Sequence, residues 1–458
     1  MNVRLATVTV VSLLVIITGC GKRKRSVSPE PVETTSARVA IDGAPGVYED
    51  AVVIGTTGSY TGAAAGQATE GYRGAMAYFL EVNASGGVHG RKIELLPKDD
   101  AYAPEAGAEN VKKLLKEDGV FCIFGGNGSS VIKATTQVLQ ENKASGAFGF
   151  GTTNGAPFTR EAPGSDVWYH VHSSYRQEGA ALVEGLVKAN FKRIGIFYQD
   201  DAFGQAGLAG VQAAMEEKGL TLVAATTHPA NQKVEVSTST QVDTLKRANV
   251  DAVISFTLYQ PAAAFVRDMR DAGLNVPIAN SSIANDTWLR LLVAQEKKAR
   301  EKNPSASYLD KPLLGIHSVP NWDDLTIPVV AEFRSLMDKR NPQVPNEIRD
   351  ANYRTLPYQT ISLLSFVNAK VFTEVLRRTG PVLTRRAFRD NIERMSGYDP
   401  GLGGTTLTFS ASRHQGTDRV FFVGVRDHKW LSLSDPAAYL RPKAEPGVAS
   451  PAALRAGR

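Results

Sequence analysis

The chain has 458 residues, which is long for one compact core and comfortable for two. Hydrophobic residues make up 43% and charged residues 21%, the usage of an ordinary soluble globular protein. The net charge of +6 draws much of its excess from the run Lys22, Arg23, Lys24, Arg25 and from Arg455 and Arg458, so the body is near neutral. That excludes a nucleic-acid footprint, which needs basic residues clustered on a folded face.

In chain order, residues 1–4 are a short n-region with one positive charge, and 5–17 are an apolar stretch too short to span a bilayer comfortably. Ile17-Thr18-Gly19-Cys20 follows directly. Small residues before a cysteine at this place resemble a lipobox, which predicts a signal peptide over 1–19 and lipidation of Cys20. Several acyl chains there would make a stable anchor. The four charges after Cys20 run against the usual placement of positive residues on the cytoplasmic side, so an uncleaved anchor is a formal alternative; on a lipidated chain they would lie at lipid headgroups. Residues 20–48, rich in Ser, Pro, Glu and Thr, read as a lipidated tether, and 436–458 as a disordered tail.

From about residue 51 the chain alternates short apolar runs with amphipathic stretches. Strands are expected at 51–55, 92–97, 120–124 and 147–150, with helices at 67–83, 104–116 and 131–141 between them. The alternation restarts with strands at 193–198, 221–225, 252–256 and 276–279 and helices at 204–218, 236–248 and 262–272. This pattern predicts two α/β lobes, each a doubly wound parallel sheet. A strand at 314–319, helices at 327–339, 356–378 and 384–395, and strands at 406–409 and 419–425 complete the body.

Catalytic constellations are missing. There is no HExxH, CxxC, Walker A or GxSxG pattern, and the chain is read as a binding protein, not an enzyme, with no cofactor and no metal. His170 and His172 share a strand face but lack a third metal ligand. The acids Asp99-Asp100 and Asp200-Asp201 each follow a strand and read as turn and cap residues. Cys122, in an apolar run, reads as a buried thiol, and no disulfide is expected.

Ligands of open parallel sheets bind beyond the carboxyl ends of the strands. Three such loops stand out: Thr56-Thr-Gly-Ser-Tyr-Thr-Gly62, Gly125-Gly-Asn-Gly-Ser-Ser130 and Gly151-Thr-Thr-Asn-Gly155. Together they offer hydroxyls, amides and open N–H groups with few charges, a wall suited to a small carboxylate or similar polar solute.

The stretches Gly71-Tyr-Arg-Gly-Ala-Met-Ala-Tyr-Phe79, Val82-Asn-Ala-Ser-Gly-Gly-Val-His-Gly-Arg-Lys-Ile-Glu-Leu95, Asp99-Asp-Ala-Tyr-Ala-Pro-Glu105, Arg193-Ile-Gly-Ile-Phe-Tyr-Gln-Asp-Asp-Ala-Phe-Gly204 and Arg413-His-Gln-Gly-Thr-Asp418 resemble the type I periplasmic solute-binding proteins of ABC importers, the leucine/isoleucine/valine-binding class. The resemblance covers roughly 51–433. It implies two doubly wound lobes joined by three hinge crossovers, with lobe I built from 49–170 plus 320–410 and lobe II from 171–319 plus 411–435. The crossovers are expected near 169–173, 317–321 and 410–415. It further implies a small-molecule ligand held in the interlobe cleft by Ser129, Ser130, Thr152, Thr153, Asn154, Phe203, Tyr259 and Ser281. An ABC permease is the implied membrane partner, for a monomer on the extracytoplasmic side; a ligand sensor of the same fold is the alternative, and a secreted hydrolase a third reading. The segment Asn280-Ser-Ser-Ile-Ala-Asn-Asp286 has no acid where the family places one for an α-ammonium. A buried ammonium without a counter-charge is costly, which puts a simple α-amino acid in doubt unless Asp286, Asp201 or Glu70 substitutes.

Overall fold

A computed structural model describes residues 39–441 apart from Asp42, Ala63, Ala284 and Asn285. The expected signal peptide, Cys20 and most of the tether lie outside the described residues. Two sheets divide the body. The first contains β1 (Ala51–Gly58), β2 (Lys92–Asp99), β3 (Ile123–Phe124), β4 (Gly149–Phe150) and β5 (Trp168–Tyr169), all parallel, in the order β2-β1-β3-β4-β5. Helices α1 (Ala65–Ala84), α2 (Pro104–Lys116) and α3 (Ser129–Glu141) connect its strands.

Chain then passes to the second sheet. Helix α4 (Tyr175–Lys188) opens with a reciprocal cap in which the Ser174 hydroxyl accepts from the Gln177 amide and the Gln177 side chain accepts from the Ser174 amide. Strands and helices then alternate: β6 (Ile194–Gln199), α5 (Ala202–Glu217), β7 (Ala224–His228), α6 (Ser239–Arg247), β8 (Ala252–Phe256), α7 (Tyr259–Asp271), β9 (Ile278–Asn280), α8 (Asp286–Arg300) and β10 (Leu313–His317). After β10 the chain returns to the first lobe for α9 (Pro328–Arg340), α10 (Thr360–Thr379) and α11 (Arg385–Ile392). It ends in the second with β11 (Phe421–Arg426), β12 (Lys429–Ser432) and α12 (Pro436–Leu440). The second sheet runs β12-β11-β10-β9-β8-β6-β7, parallel except where β11 pairs with β10 and β12.

The two α/β lobes expected from the alternation are therefore present. Helix α1 packs on α10 at backbone distance: a Cβ on Gly74 would stand 1.8 Å from the Ser362 carbonyl oxygen. Glycine and alanine through α1 are what permit this approach. In the first lobe Phe79, Phe124, Phe150, Phe372 and Phe388 form one buried aromatic cluster.

Several expectations need correction. The tether does not extend to residue 48 as loose chain. Ala44, Val47 and Tyr48 are buried, Val47 bridges Val52, and Gly46 lies against the Phe121 backbone; three apolar side chains gain more from the core than from solvent. Nor is 436–458 disordered from its first residue. Asp435 caps α12 through the Ala437 and Ala438 amides, Leu440 is buried, and the Tyr439 hydroxyl bonds the backbone of Leu313 and Val425. The expected strand at 406–409 is instead a pair of isolated bridges, Tyr398 with Leu407 and Ser410 with Arg413, because no neighbouring strand extends the ladder. Helix α8, not anticipated from the sequence, carries the buried Trp288, Leu289 and Leu292.

Candidate binding site in the interlobe cleft

Each sheet has one point where strand order reverses, and connections leave it in opposite directions. In the first sheet this lies between β1 and β3, and in the second between β6 and β8. Loops diverge at such points and leave a crevice at the carboxyl edge. In this protein the two crevices face each other. Asn127, Gly128 and Ser129, after β3, share a cavity with Phe203, after β6, and Leu258, after β8. Gln67, Tyr102, Thr153, Asn154, Tyr175 and Ile283 complete the lining of a narrow slot.

The two walls differ chemically. The lobe I wall is polar. Asn154 Nδ2 donates to Ser129 Oγ at 2.8 Å, and Asn127 is held by the Ser59 amide at 3.1 Å and Oγ at 2.7 Å. Gly128, with φ of 83°, starts α3, and a Cβ there would meet the Tyr102 ring at 2.8 Å. Glycine thus sets both the loop turn and the seat of the tyrosine. The N-terminus of α3, with its unpaired first-turn N–H groups, opens at this wall. The lobe II wall is apolar: Phe203, Leu258, Ile283 and the ring of Tyr175, which meets Phe203 edge-on at 5.0 Å. None of the lining residues is an acid, lysine, arginine or histidine.

Of the eight residues expected at the site, Ser129, Thr153, Asn154 and Phe203 line this cavity. The other four do not. Thr152 turns inward, its hydroxyl donating to the Gly126 carbonyl at 2.9 Å and accepting from the Asn154 amide; it shapes the loop that presents Asn154. Ser130 stands behind Ser129 on α3, partly exposed. Tyr259 is buried and bonded to the backbone at Gly66 across the lobes. Ser281 is buried, with its hydroxyl unpaired and its amide donating to Ser255. Tyr102, Tyr175, Leu258 and Ile283 were not anticipated; only Tyr102 had been singled out, as part of a family motif.

Each acid considered as a substitute ammonium partner is committed elsewhere. Asp201 caps α5 through the Phe203 and Gly204 amides and accepts from Gln199 Nε2 at 2.6 Å. Asp286 accepts from Trp322 Nε1 and from the Thr360 amide, both at 2.7 Å. Glu70 pairs with Arg73 at 2.6 Å and accepts from the Leu356 amide and the Tyr353 hydroxyl.

A further acid, Glu178 on α4, is fully buried and bonded to the Ser282 amide and hydroxyl at 3.0 and 2.7 Å. Burial pushes its carboxyl up to about 7 against the hydrogen bonds from Ser282. Asp100 is likewise pushed up to about 7 by burial, with Thr57 donating at 2.8 Å.

The lobes meet along the cleft through Tyr102, whose hydroxyl lies 3.4 Å from Asp201 Oδ2, and Gln67, whose amide reaches the Ile283 carbonyl at 3.4 Å. Behind the cleft His170 pairs with Gln415 where two crossings run side by side. His170 Nε2 contacts the Thr159 carbonyl, and the His172 nitrogens contact the Ser173 and Thr152 carbonyls. Among the described residues there is no cluster of three or more metal-ligating side chains, and no helix is long and apolar enough to cross a membrane.

Two parallel-sheet lobes with facing switch points around a polar-and-apolar slot define a two-lobed solute-binding protein. The chain belongs to the periplasmic binding protein family, whose profile matches residues 51–429. The Leu/Ile/Val-binding protein homolog 2 of Brucella abortus is 28% identical over 226 residues, 49% of this chain and 58% of that relative. The chain thus aligns with little more than half the length of the curated relatives it matches. Among solved structures, a possible leucine/isoleucine/valine-binding protein from Rhodopirellula baltica superposes with a TM-score of 0.72 at 22% identity, over 84% of this chain and 96% of that one. A substrate-binding periplasmic protein from Ralstonia solanacearum superposes at 0.68 with 26% identity, over 81% and 96%. The relatives and the fold are those of substrate-binding proteins, not enzymes.

Proposed function

We propose that this chain is the extracytoplasmic receptor of an ABC importer, anchored by lipid at Cys20, and that its ligand is a small organic carboxylate without an α-ammonium. One observation carries the ligand class: the cleft joins a neutral, donor-bearing wall to an apolar wall, and every nearby acid already holds a structural partner. Helix α3, Ser129 and Asn154 supply hydrogen bonds to an anion without a formal charge. A zwitterionic amino acid would bury its ammonium unpaired, at a cost of several kcal/mol. Ligand touching both walls would stabilise the closed form by its differential affinity, the signal a permease partner would read.

The test is titration calorimetry of the purified protein against leucine, valine and their deaminated counterparts, isocaproate and isovalerate. The expected order places the monocarboxylates above the amino acids. Tight binding of leucine with no response to isocaproate would overturn the ligand assignment. The anchor is checked separately: Cys20→Ala should abolish incorporation of labelled palmitate in cells.

A further inference from the structure

Helix α10 begins in the first lobe after Gln359, whose side chain makes no capping bond. The first N–H groups of a helix have no partner within it, so they need one from outside. Elsewhere the chain supplies it locally: Ser174, Asp201 and Thr384 each cap the helix they precede. For α10 the cap comes from the other lobe. Asp286, the first residue of α8, accepts from the Thr360 amide on Oδ2 at 2.7 Å. Its Oδ1 accepts from the Trp322 indole N–H, also at 2.7 Å. Trp322 packs on the lobe I core, whereas Trp288 and Leu292 of α8 belong to the lobe II core. Both oxygens of one buried lobe II carboxylate are therefore held by lobe I donors.

We propose that Asp286 is an interlobe latch: a helix cap supplied in trans that holds the two lobes together before any ligand binds. The proposal does not depend on which solute the cleft takes. Two observations carry it. The first is strength. Both bonds are short and charge-assisted, a class roughly twice as strong as neutral hydrogen bonds. Other side chains that reach between the lobes do so over longer distances: Gln67 to the Ile283 carbonyl at 3.4 Å, Tyr102 to Asp201 at 3.4 Å and Thr287 to Gln359 at 3.3 Å. The second is position. Ile283, three residues before Asp286, lines the cleft and receives Gln67 from α1. An opening that parts Ile283 from Gln67 therefore also draws Asp286 away from Thr360. The latch is reversible for a physical reason. Burying a carboxylate costs much of what its bonds return, and on opening both the carboxylate and the α10 amide regain water. Its net effect is a shift of the open–closed balance of roughly tenfold, about what one or two net hydrogen bonds supply.

The experiment is small-angle scattering of the unliganded full chain, wild type beside Asp286→Ala and Trp322→Phe, with hydrogen exchange of the Thr360 amide on the same samples. Wild type should scatter as the compact form with its lobes in contact. Asp286→Ala should shift toward an expanded form, and Trp322→Phe, which removes one bond and keeps an aromatic ring, should fall between. Exchange at Thr360 should quicken by roughly tenfold or more in Asp286→Ala, while amides of β1 and β8, in the two cores, exchange as in wild type. An expanded wild type, or three proteins equally compact, would overturn the latch. Faster exchange throughout both cores would mark a purely structural role and overturn it as well. Should Asp286→Ala fail to fold, Trp322→Phe decides: wild-type scattering together with wild-type exchange at Thr360 in that variant would sink the proposal.

Discussion

Ser129 is the hydroxyl proposed to meet the ligand. It begins α3, accepts from Asn154 Nδ2 at 2.8 Å, and stands against Tyr175 from the other lobe. Replacing it by alanine should weaken carboxylate binding by about 1–2 kcal/mol, roughly tenfold, with little change in thermal stability; calorimetry and a melt on the same sample check both. Glu178 makes a prediction about pH. Its carboxyl is held up to about 7 by burial, above the 4.5 of a free glutamate. Between those values the folded state binds the extra proton, so its contribution is fully present below pH 4.5 and is lost as pH rises through 7. Glu178→Gln keeps both bonds to Ser282 with a neutral group. It should raise the melting point at pH 8, by an amount equivalent to on the order of 3 kcal/mol at most, and leave it nearly unchanged at pH 4.5. His172 acts in the opposite sense: burial pulls it down to about 3, so it costs stability as pH falls below 6.5. The glutamine variant isolates one from the other.

At the scale of elements, the α1–α10 contact depends on glycine. With 1.8 Å between a Gly74 Cβ and the Ser362 carbonyl, any side chain forces the helices apart. Gly74→Ala should destabilise the protein by about 1–3 kcal/mol, measured by urea unfolding. Since α1 also carries Gln67, which lines the cleft, the same variant should misalign that wall and weaken ligand binding. The strand-end loops were legible as a group, because glycine, serine, threonine and asparagine after apolar runs mark turns and caps. Their individual roles were not. Thr152 and Thr153 are neighbours with the same side chain, yet one is turned into the loop and one lines the cavity. Composition does not distinguish alternate sides of a loop; backbone direction does.

At the scale of the whole molecule, Arg160 sits against two of the crossings between the lobes, at His172 and Ser173 and at Gln415. Its guanidinium donates to the carbonyls of Asn154, Ala156, His172 and Ser173, to the Thr159 hydroxyl and to Gln415 Oε1. No carboxylate is paired with it among the described residues, and burial pulls its pKa down to about 9. Arg160→Ala would strand several buried carbonyls and should destabilise by roughly 3 kcal/mol or more. Because it also frees the Asn154 backbone, ligand affinity should fall too; small-angle scattering with and without a bound carboxylate would show whether closure is lost.

What the sequence determined by itself is what short-range periodicity and residue chemistry encode: two α/β series, the donor-rich loops at their strand ends, Asp201 as a helix cap, and the lack of a catalytic constellation. The tertiary structure alone decided which loops meet. Strand order, not chain order, brings the loops after β1 and β3 against those after β6 and β8, and it is set by pairings between segments remote in sequence, such as Gly55 with Ile123 and Ile194 with Ala252. That packing placed Tyr102, Tyr175, Leu258 and Ile283 in the cleft, gave Asp286 and Glu70 their distant partners, and drew Ala44 to Tyr48 and α12 into the folded lobes. Each of these depends on a contact between remote parts of the chain, and no local pattern reports such a contact.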